Sequence, residues 1–232
     1  MSSDWAASAL KWWEDAGVDT FVAEEPRDWL KPRAVADAPA AAEPARDEMP
    51  TTLAAFQDWL ASSPHLPHAA SGVPRVPPAG DAASGLMVLV DMPAQEDIAA
   101  GHLLAGEAGD LFDKMIGAIG RSRETLYLAS LSPVRTPTGT LDAASARALA
   151  EIARHHVGLV RPKALLLFGD ICSKALIGPA VAGARGRWHE LETPSGPVRA
   201  IATIRPEKLR LQPNLKRFAW EDLQMLKEGF SG

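Results

Sequence analysis

Four short stretches carry side chains suited to chemistry: Asp91-Met92-Pro93-Ala94, Ser130 to Arg135, Gly169-Asp170 and Ile204-Arg205-Pro206-Glu207. Each follows an apolar run, and together they supply a carboxylate, a hydroxyl and a guanidinium. A carboxylate can orient water or move a proton once hydrogen-bond distance is met. An arginine beside it can donate to a carbonyl or a phosphate and does not titrate. The stretches converge only if the runs before them are strands of one open sheet, because such sheets bind ligands outside the carboxyl ends of their strands. The pattern locates a rim and names no substrate.

The elements that must build this rim are legible as alternating strands and helices. Leu86–Val90, Thr125–Leu131, Ala164–Gly169 and Val198–Thr203 read as strands. Between and after them, Glu107–Ile119, Asp142–Val160, Ile171–Ile177 and Leu215–Lys227 read as helices. That alternation predicts an α/β fold, a three-layer α/β/α sandwich around a central four-stranded, mostly parallel sheet. His156 shares the apolar face of its helix with Leu149, Ala153 and Val157, which reads as a core or rim histidine.

Upstream, Trp5, Ala9, Trp12, Trp13 and Ala16 fall on one face of a helix expected over 4–16. Residues 1–31 are taken as a Trp-rich helical segment, 32–50 as an Ala/Pro-rich linker and 51–232 as the α/β domain, which opens with a short helix over 52–62. Five of the seven tryptophans precede residue 60. They either pack on the main domain or form a partner surface.

The chain has 232 residues, enough for one sizeable core with appendages. Its single cysteine, Cys172, excludes an intrachain disulfide, a cysteine-ligated iron–sulfur cluster and a multi-cysteine zinc site. No apolar run reaches the roughly 18 residues that span a bilayer, and Asp4, Glu14 and Asp15 interrupt any secretory leader. A cytoplasmic protein without membrane partners or metal is expected. The net charge is −5, but unevenly spread: residues 1–60 hold twelve acids and five bases. Against that, Arg199, Arg205, Lys208, Arg210, Lys216 and Arg217 face only Glu207 between 199 and 217. Such a stripe is either a solvated face or a binding surface for phosphates. No G-x-G-x-x-G or G-x-x-x-x-G-K-[ST] loop marks a nucleotide-binding protein of another kind.

Several of these blocks resemble, in order, those of the family 4 uracil-DNA glycosylases. LMVLVDMPAQED stands where that family has a strand followed by G-E-A-P-G and E-D. GHLLAG and EAGDLFDKMIGAIG resemble G-R-P-F-V-G and A-G-x-L-L-D-K-M-L, and LVRPKALLLFGDICSKALIG resembles I-R-P-K-x-I-x-x-L-G. RGRWHE recurs at Arg185 to Glu190, and IRPEKLRLQPNLKRFAWEDLQML resembles H-P-S-x-L-L-R followed by A-W-E-D-L. The resemblance covers residues 50–230 and implies the glycosylase fold.

It also implies where chemistry has changed. Asp91 stands for the family's catalytic glutamate, one methylene shorter, and Arg205 for the catalytic-loop histidine. Met92, Pro93, Ala94, Leu104 and Ser130 stand around the base pocket. Leu104 replaces a stacking phenylalanine, and Ser130 an asparagine that reads the uracil amide edge. Arg135, Arg185, Arg187, Pro206, Lys208, Arg210, Lys216 and Arg217 are the expected DNA contacts. None of the family's four cluster cysteines is present, and the second pair falls near Val134 and Leu149. The resemblance therefore implies a DNA-binding, repair-related protein without an iron–sulfur cluster, acting on single-stranded or damaged DNA, with uracil excision lost or much reduced. A second reading is an active DNA glycosylase of altered specificity, hydrolysing the N-glycosidic bond of uracil or another damaged base with Asp91. A third is an accessory factor whose Trp-rich N-terminus docks a repair or replication protein.

Overall fold

A computed structural model of the chain describes Ser8, Lys11, Trp12, residues 49–70 and residues 72–231. The chain divides into two units, 1–43 and 44–232, and the second carries the rim. Of the helix expected over 4–16, only Ser8, Lys11 and Trp12 are described, all helical. The rest of that helix, the remainder of the Trp-rich segment and all but the last two residues of the linker lie outside the described residues.

The second unit is an α/β fold around a six-stranded sheet in the order β1-β3-β2-β4-β6-β5. The strands are β1 (Ala79–Gly80), β2 (Leu86–Val90), β3 (Tyr127–Ser130), β4 (Ala164–Phe168), β5 (His189–Leu191) and β6 (Val198–Thr203). β3, β2, β4 and β6 run parallel and are the strands read from the sequence. Six strands, not four, make the sheet. β1 pairs antiparallel with β3 at one edge, and β5 antiparallel with β6 at the other. β1 is two exposed residues long, too short to show any alternation, and its partner alone makes it a strand.

β2 and β4 are buried at every position, as a strand covered on both faces must be. The helices are α1 (Leu53–Ser62), α2 (Gln95–Ala100), α3 (Gly106–Ala118), α4 (Ala143–Val160), α5 (Asp170–Leu176), α6 (Val181–Ala184), α7 (Pro206–Leu211) and α8 (Lys216–Ser231). α2, α6 and α7 have four to six residues each, below the length at which periodicity can be read. Successive β3 residues show the two covering layers. Tyr127 turns to α4, where its hydroxyl meets His156 Nε2 at 3.0 Å, while Leu128 lies with α3 residues on the opposite face. α8 packs on β4 and β6, and α1 on α4. Among the described residues no helix is long and apolar enough to cross a membrane.

His156 is a core residue. It is 2 % exposed, and burial lowers its pKa to about 3, so it stays neutral and bonded to Tyr127. Burial in turn raises the Tyr127 phenol to about 12, and Gln57 of α1 donates to the same hydroxyl at 2.8 Å.

Candidate functional site

The strand order turns about β2: the chain proceeds to β3 on one side, then crosses to β4 on the other. Ligand crevices of open sheets form at such a switch. Asp91 leaves the end of β2 there. Pairing with β3 continues past the strand, with Leu131 N–H donating to the Val90 carbonyl at 2.8 Å and Ser132 N–H to that of Asp91 at 3.2 Å. The Asp91 residue is 4 % exposed. Its Oδ1 accepts the Cys172 N–H at 2.7 Å, and its Oδ2 stands 3.9 Å from an Arg205 guanidinium nitrogen. Gly169, at φ +110°, lies so close that any Cβ there would fall on the carboxylate.

Burial raises the Asp91 carboxyl above its ordinary pKa, against the Cys172 N–H and thiol and the Arg205 charge, which favour ionisation. Burial, and then the Asp91 charge, pushes the Cys172 thiol well up. Cys172 is therefore a protonated neighbour of the carboxylate and not a nucleophile.

A cavity of about 320 Å³ opens beside Asp91, walled also by Thr140, Asp170, Val181, Arg205 and Lys208. The sequence-predicted pair Asp91 and Arg205 thus meets here, and Lys208, expected on DNA, joins it. Asp170 and Thr140 complete the polar wall. Asp170 is legible from the sequence as a strand-end acid, and no motif singles out Thr140.

None of the residues expected around a base lines this cavity. Met92 offers its sulfur to the Thr136 hydroxyl at 3.7 Å. Pro93 lends its carbonyl to Arg135 at 3.1 Å. Ala94 N–H and Ala105 N–H both donate to Asp97, at 2.9 and 2.7 Å, so this buried acid clamps the ends of the 94–105 segment. Leu104 is 2 % exposed at φ +53°, its carbonyl taken by Arg123 at 2.6 Å. It borders a separate cavity with His102 and Asp110. Ser130 is half-buried at the end of β3.

The predicted basic residues also divide. Lys208, Lys216 and Arg217 are exposed, Arg217 lying over the Phe218 ring. Arg187 is exposed and donates to the Gly183 carbonyl at 3.2 Å. Arg210 pairs with Glu107, and Pro206 is buried as the first residue of α7. Arg185 is turned inward onto Asp222, Glu221 and the Phe218 carbonyl, so its guanidinium serves packing. Trp188 packs against α8 at Gly229 and is stacked by Arg199, 4.0 Å from its ring centre.

Comparison with known proteins fits this geometry. The family model described as the Uracil DNA glycosylase superfamily matches residues 77–224, which is the sheet, its rim and the helices around it. The chain belongs to that superfamily. Among curated relatives, it is 22 % identical over 161 residues to the Type-4 uracil-DNA glycosylase of Pyrobaculum aerophilum, covering 66 % of this chain and 82 % of that one. It is 19 % identical over 160 residues to the Type-4 uracil-DNA glycosylase of Archaeoglobus fulgidus, covering 66 % and 80 %.

Within the superfamily frame, the positions expected near a cluster hold apolar side chains. Val134 sits in a small apolar core with Phe56, Leu60, Leu66 and Ala69, and Leu149 in the main core. Arg75 braces that small core by donating to the carbonyls of Leu60, Ser63 and Ala69. Cys172, the single cysteine, lies beside Asp91. These residues do not fit a cysteine-ligated iron–sulfur cluster.

The raised carboxyl of Asp91 gives a first prediction. The folded state binds this proton more tightly than the unfolded state does. Its contribution to stability is therefore full below the ordinary carboxylate pKa and is lost as pH rises through the raised value. Asp91→Asn should be more stable than the parent at neutral pH, on the order of 1 kcal/mol, with the gain shrinking as pH falls. Urea unfolding at neutral and acidic pH checks this; a gap independent of pH, or of opposite sign, refutes it.

Proposed function

We propose that this chain is a DNA-binding, repair-related protein of the uracil-DNA glycosylase superfamily in which uracil excision is lost or much reduced. The observation that carries this reading is the composition of the Asp91 cavity. It is walled by residues that follow β2, β3, β4 and β6, whereas Met92, Leu104 and Ser130, which resemble the family's base-reading positions, are not among them. A pocket stripped of its fixed hydrogen-bonding partners loses roughly a thousandfold or more in discrimination. The exposed cations Lys208, Lys216 and Arg217 and the partly buried Arg135 support DNA as the partner, as do the names of the two Type-4 relatives. In the same reading the protein works without an iron–sulfur cluster, the small core around Val134 holding α1 in place.

One observation favours a second reading, an active glycosylase of altered specificity: Asp91, with Arg205 beside it and Asp170 on the same wall, keeps a carboxylate and a cation at an open cavity. Asp91 would then orient water or steady the sugar cation while the N-glycosidic bond breaks.

Single-turnover excision separates the two, with the protein in excess over uracil-containing oligonucleotides, single- and double-stranded, beside Asp91→Asn. The first reading expects binding that weakens steeply with salt and no base release. Release that disappears in Asp91→Asn overturns it in favour of the second.

A further inference from the structure

In the 44–232 unit, the described residues include two large apolar side chains that water reaches freely. Leu211 is 83 % exposed and Trp220 is 42 % exposed. Both belong to the α7–α8 arm, beside the cations already described. Trp220 walls a groove of about 240 Å³ between α3, α7 and α8, floored by Leu111, Met115 and Leu209, with Lys114 and Lys216 at its lips. The core does not require this exposure of an indole. α8 is anchored by Asp222, Leu223 and Leu226, all buried, and Trp220 stands beside that anchored stripe.

The groove adjoins the Asp91 cavity across a single thin element. Lys208 lines the cavity and the next residue, Leu209, lines the groove. α7 is a single helix, about 10 Å across, a distance an extended strand covers within a few nucleotides. Lys216 and Trp220 are one helical turn apart on α8 and so are surface neighbours. An exposed indole, an apolar slot and flanking ammonium groups are the combination that single-stranded nucleic acid uses: a base stacks on the ring and the phosphates on either side meet the cations. A base in a duplex already has both faces covered, so only an unpaired one can offer a face to Trp220.

We propose that this groove is a second nucleotide subsite, in which an unpaired base of the bound strand stacks on Trp220 while its neighbouring phosphates meet Lys114 and Lys216. The proposal rests on the DNA-binding reading above and adds the form of the ligand: single-stranded DNA is held more tightly than duplex of the same sequence. The cations at the lips argue for a polyanion crossing the slot, and Lys208 continues the line of positive charge to the Asp91 rim.

The test uses the full chain with a labelled thymidine oligonucleotide and its duplex, read by fluorescence anisotropy and by tryptophan emission. Trp220→Ala should weaken single-strand binding by about tenfold or more and leave duplex binding and the melting temperature nearly unchanged. Trp220→Phe, which keeps an aromatic face, should retain most of the affinity while losing much of the strand-induced quenching of emission. Lys114→Ala with Lys216→Ala should lower the salt dependence of single-strand binding. Equal affinity of parent and Trp220→Ala for the single strand overturns the proposal, as does an equal loss for both DNA forms. A parent that binds neither form at low salt removes the DNA-binding reading itself, a result distinct from either.

Discussion

Gly169→Ala is expected to cost the fold about 3 kcal/mol or more, far beyond what an alanine costs at an ordinary glycine. Two effects add. Gly169 sits at φ +110° and ψ 164°, a region essentially restricted to glycine. The added Cβ would also lie 2.6 Å from the carboxylate carbon of Asp91, and Asp91 has nowhere to go. Its backbone carbonyl is held by Ser132 N–H at 3.2 Å and its Oδ1 by Cys172 N–H at 2.7 Å, so the clash must open the junction between β2 and α5. Gly101→Ala supplies the comparison: φ there is +74° with nothing within 4 Å of the new carbon, so only backbone strain remains, about 1 kcal/mol. Urea unfolding of the two variants beside the parent measures the difference. If Gly169→Ala falls no further than Gly101→Ala, the close approach of Asp91 to the β4–α5 turn is not what fixes the carboxylate. If it falls much further, one glycine sets where the rim's buried acid points, and any variant meant to probe Asp91 chemistry must leave Gly169 intact.

The same contact shows what the sequence could and could not convey. Apolar runs such as LMVLV and ALLLF place the central strands with little ambiguity, because every residue in them is buried and no helical stripe competes. The strand-end rule then brings Asp91 and Arg205 to one cavity. The edge strands escape notice because their few residues become strands only through β3 and β6, a tertiary cause that leaves no local pattern. Site residues are missed or misplaced for a related reason: resemblance aligns positions, but side-chain direction is decided by neighbours. Leu104 reads, by resemblance, as a base-stacking position yet is 2 % exposed, because Arg123 seizes the carbonyls of Leu103 and Leu104 and Asp97 ties down the preceding segment. Arg185 reads as a surface cation until Asp222, 37 residues later, claims it. Buried acids such as Asp97 and Asp222 are the least legible class, since composition alone assigns carboxylates to the surface.

Asp222→Ala is the second substitution expected to act strongly, and its effect should reach the proposed binding face as well as the core. The residue is fully buried. Its Oδ2 accepts the Thr203 hydroxyl at 2.7 Å and Arg185 Nε at 3.3 Å, and its Oδ1 accepts Gly186 N–H at 3.0 Å. One side chain thus joins α8 to the end of β6 and to the 185–186 turn. Removing it strands the Thr203 hydroxyl and the Gly186 amide and takes from Arg185 its buried carboxylate, leaving Glu221 and the Phe218 carbonyl, and breaking one partner of a buried ion pair costs about 3–5 kcal/mol. Glu221→Ala serves as the control: Glu221 meets the same arginine at 2.9 Å but its side chain is 58 % exposed, so its loss should cost well under about 1 kcal/mol. Asp222→Asn, which keeps an acceptor for Thr203, should fall between them. Because β6 leads into Arg205 two residues after Thr203, and α8 carries Lys216, Arg217 and Trp220, loosening this joint should also misalign the cations with the Asp91 rim. On the proposed DNA-binding reading, the DNA affinity of Asp222→Ala, measured where the variant is still folded, should therefore drop although none of the residues proposed to face DNA has changed. Unfolding curves for Asp222→Ala and Glu221→Ala that nearly coincide would show instead that α8 is held by its apolar stripe, and that the basic face is independent of the joint beneath it.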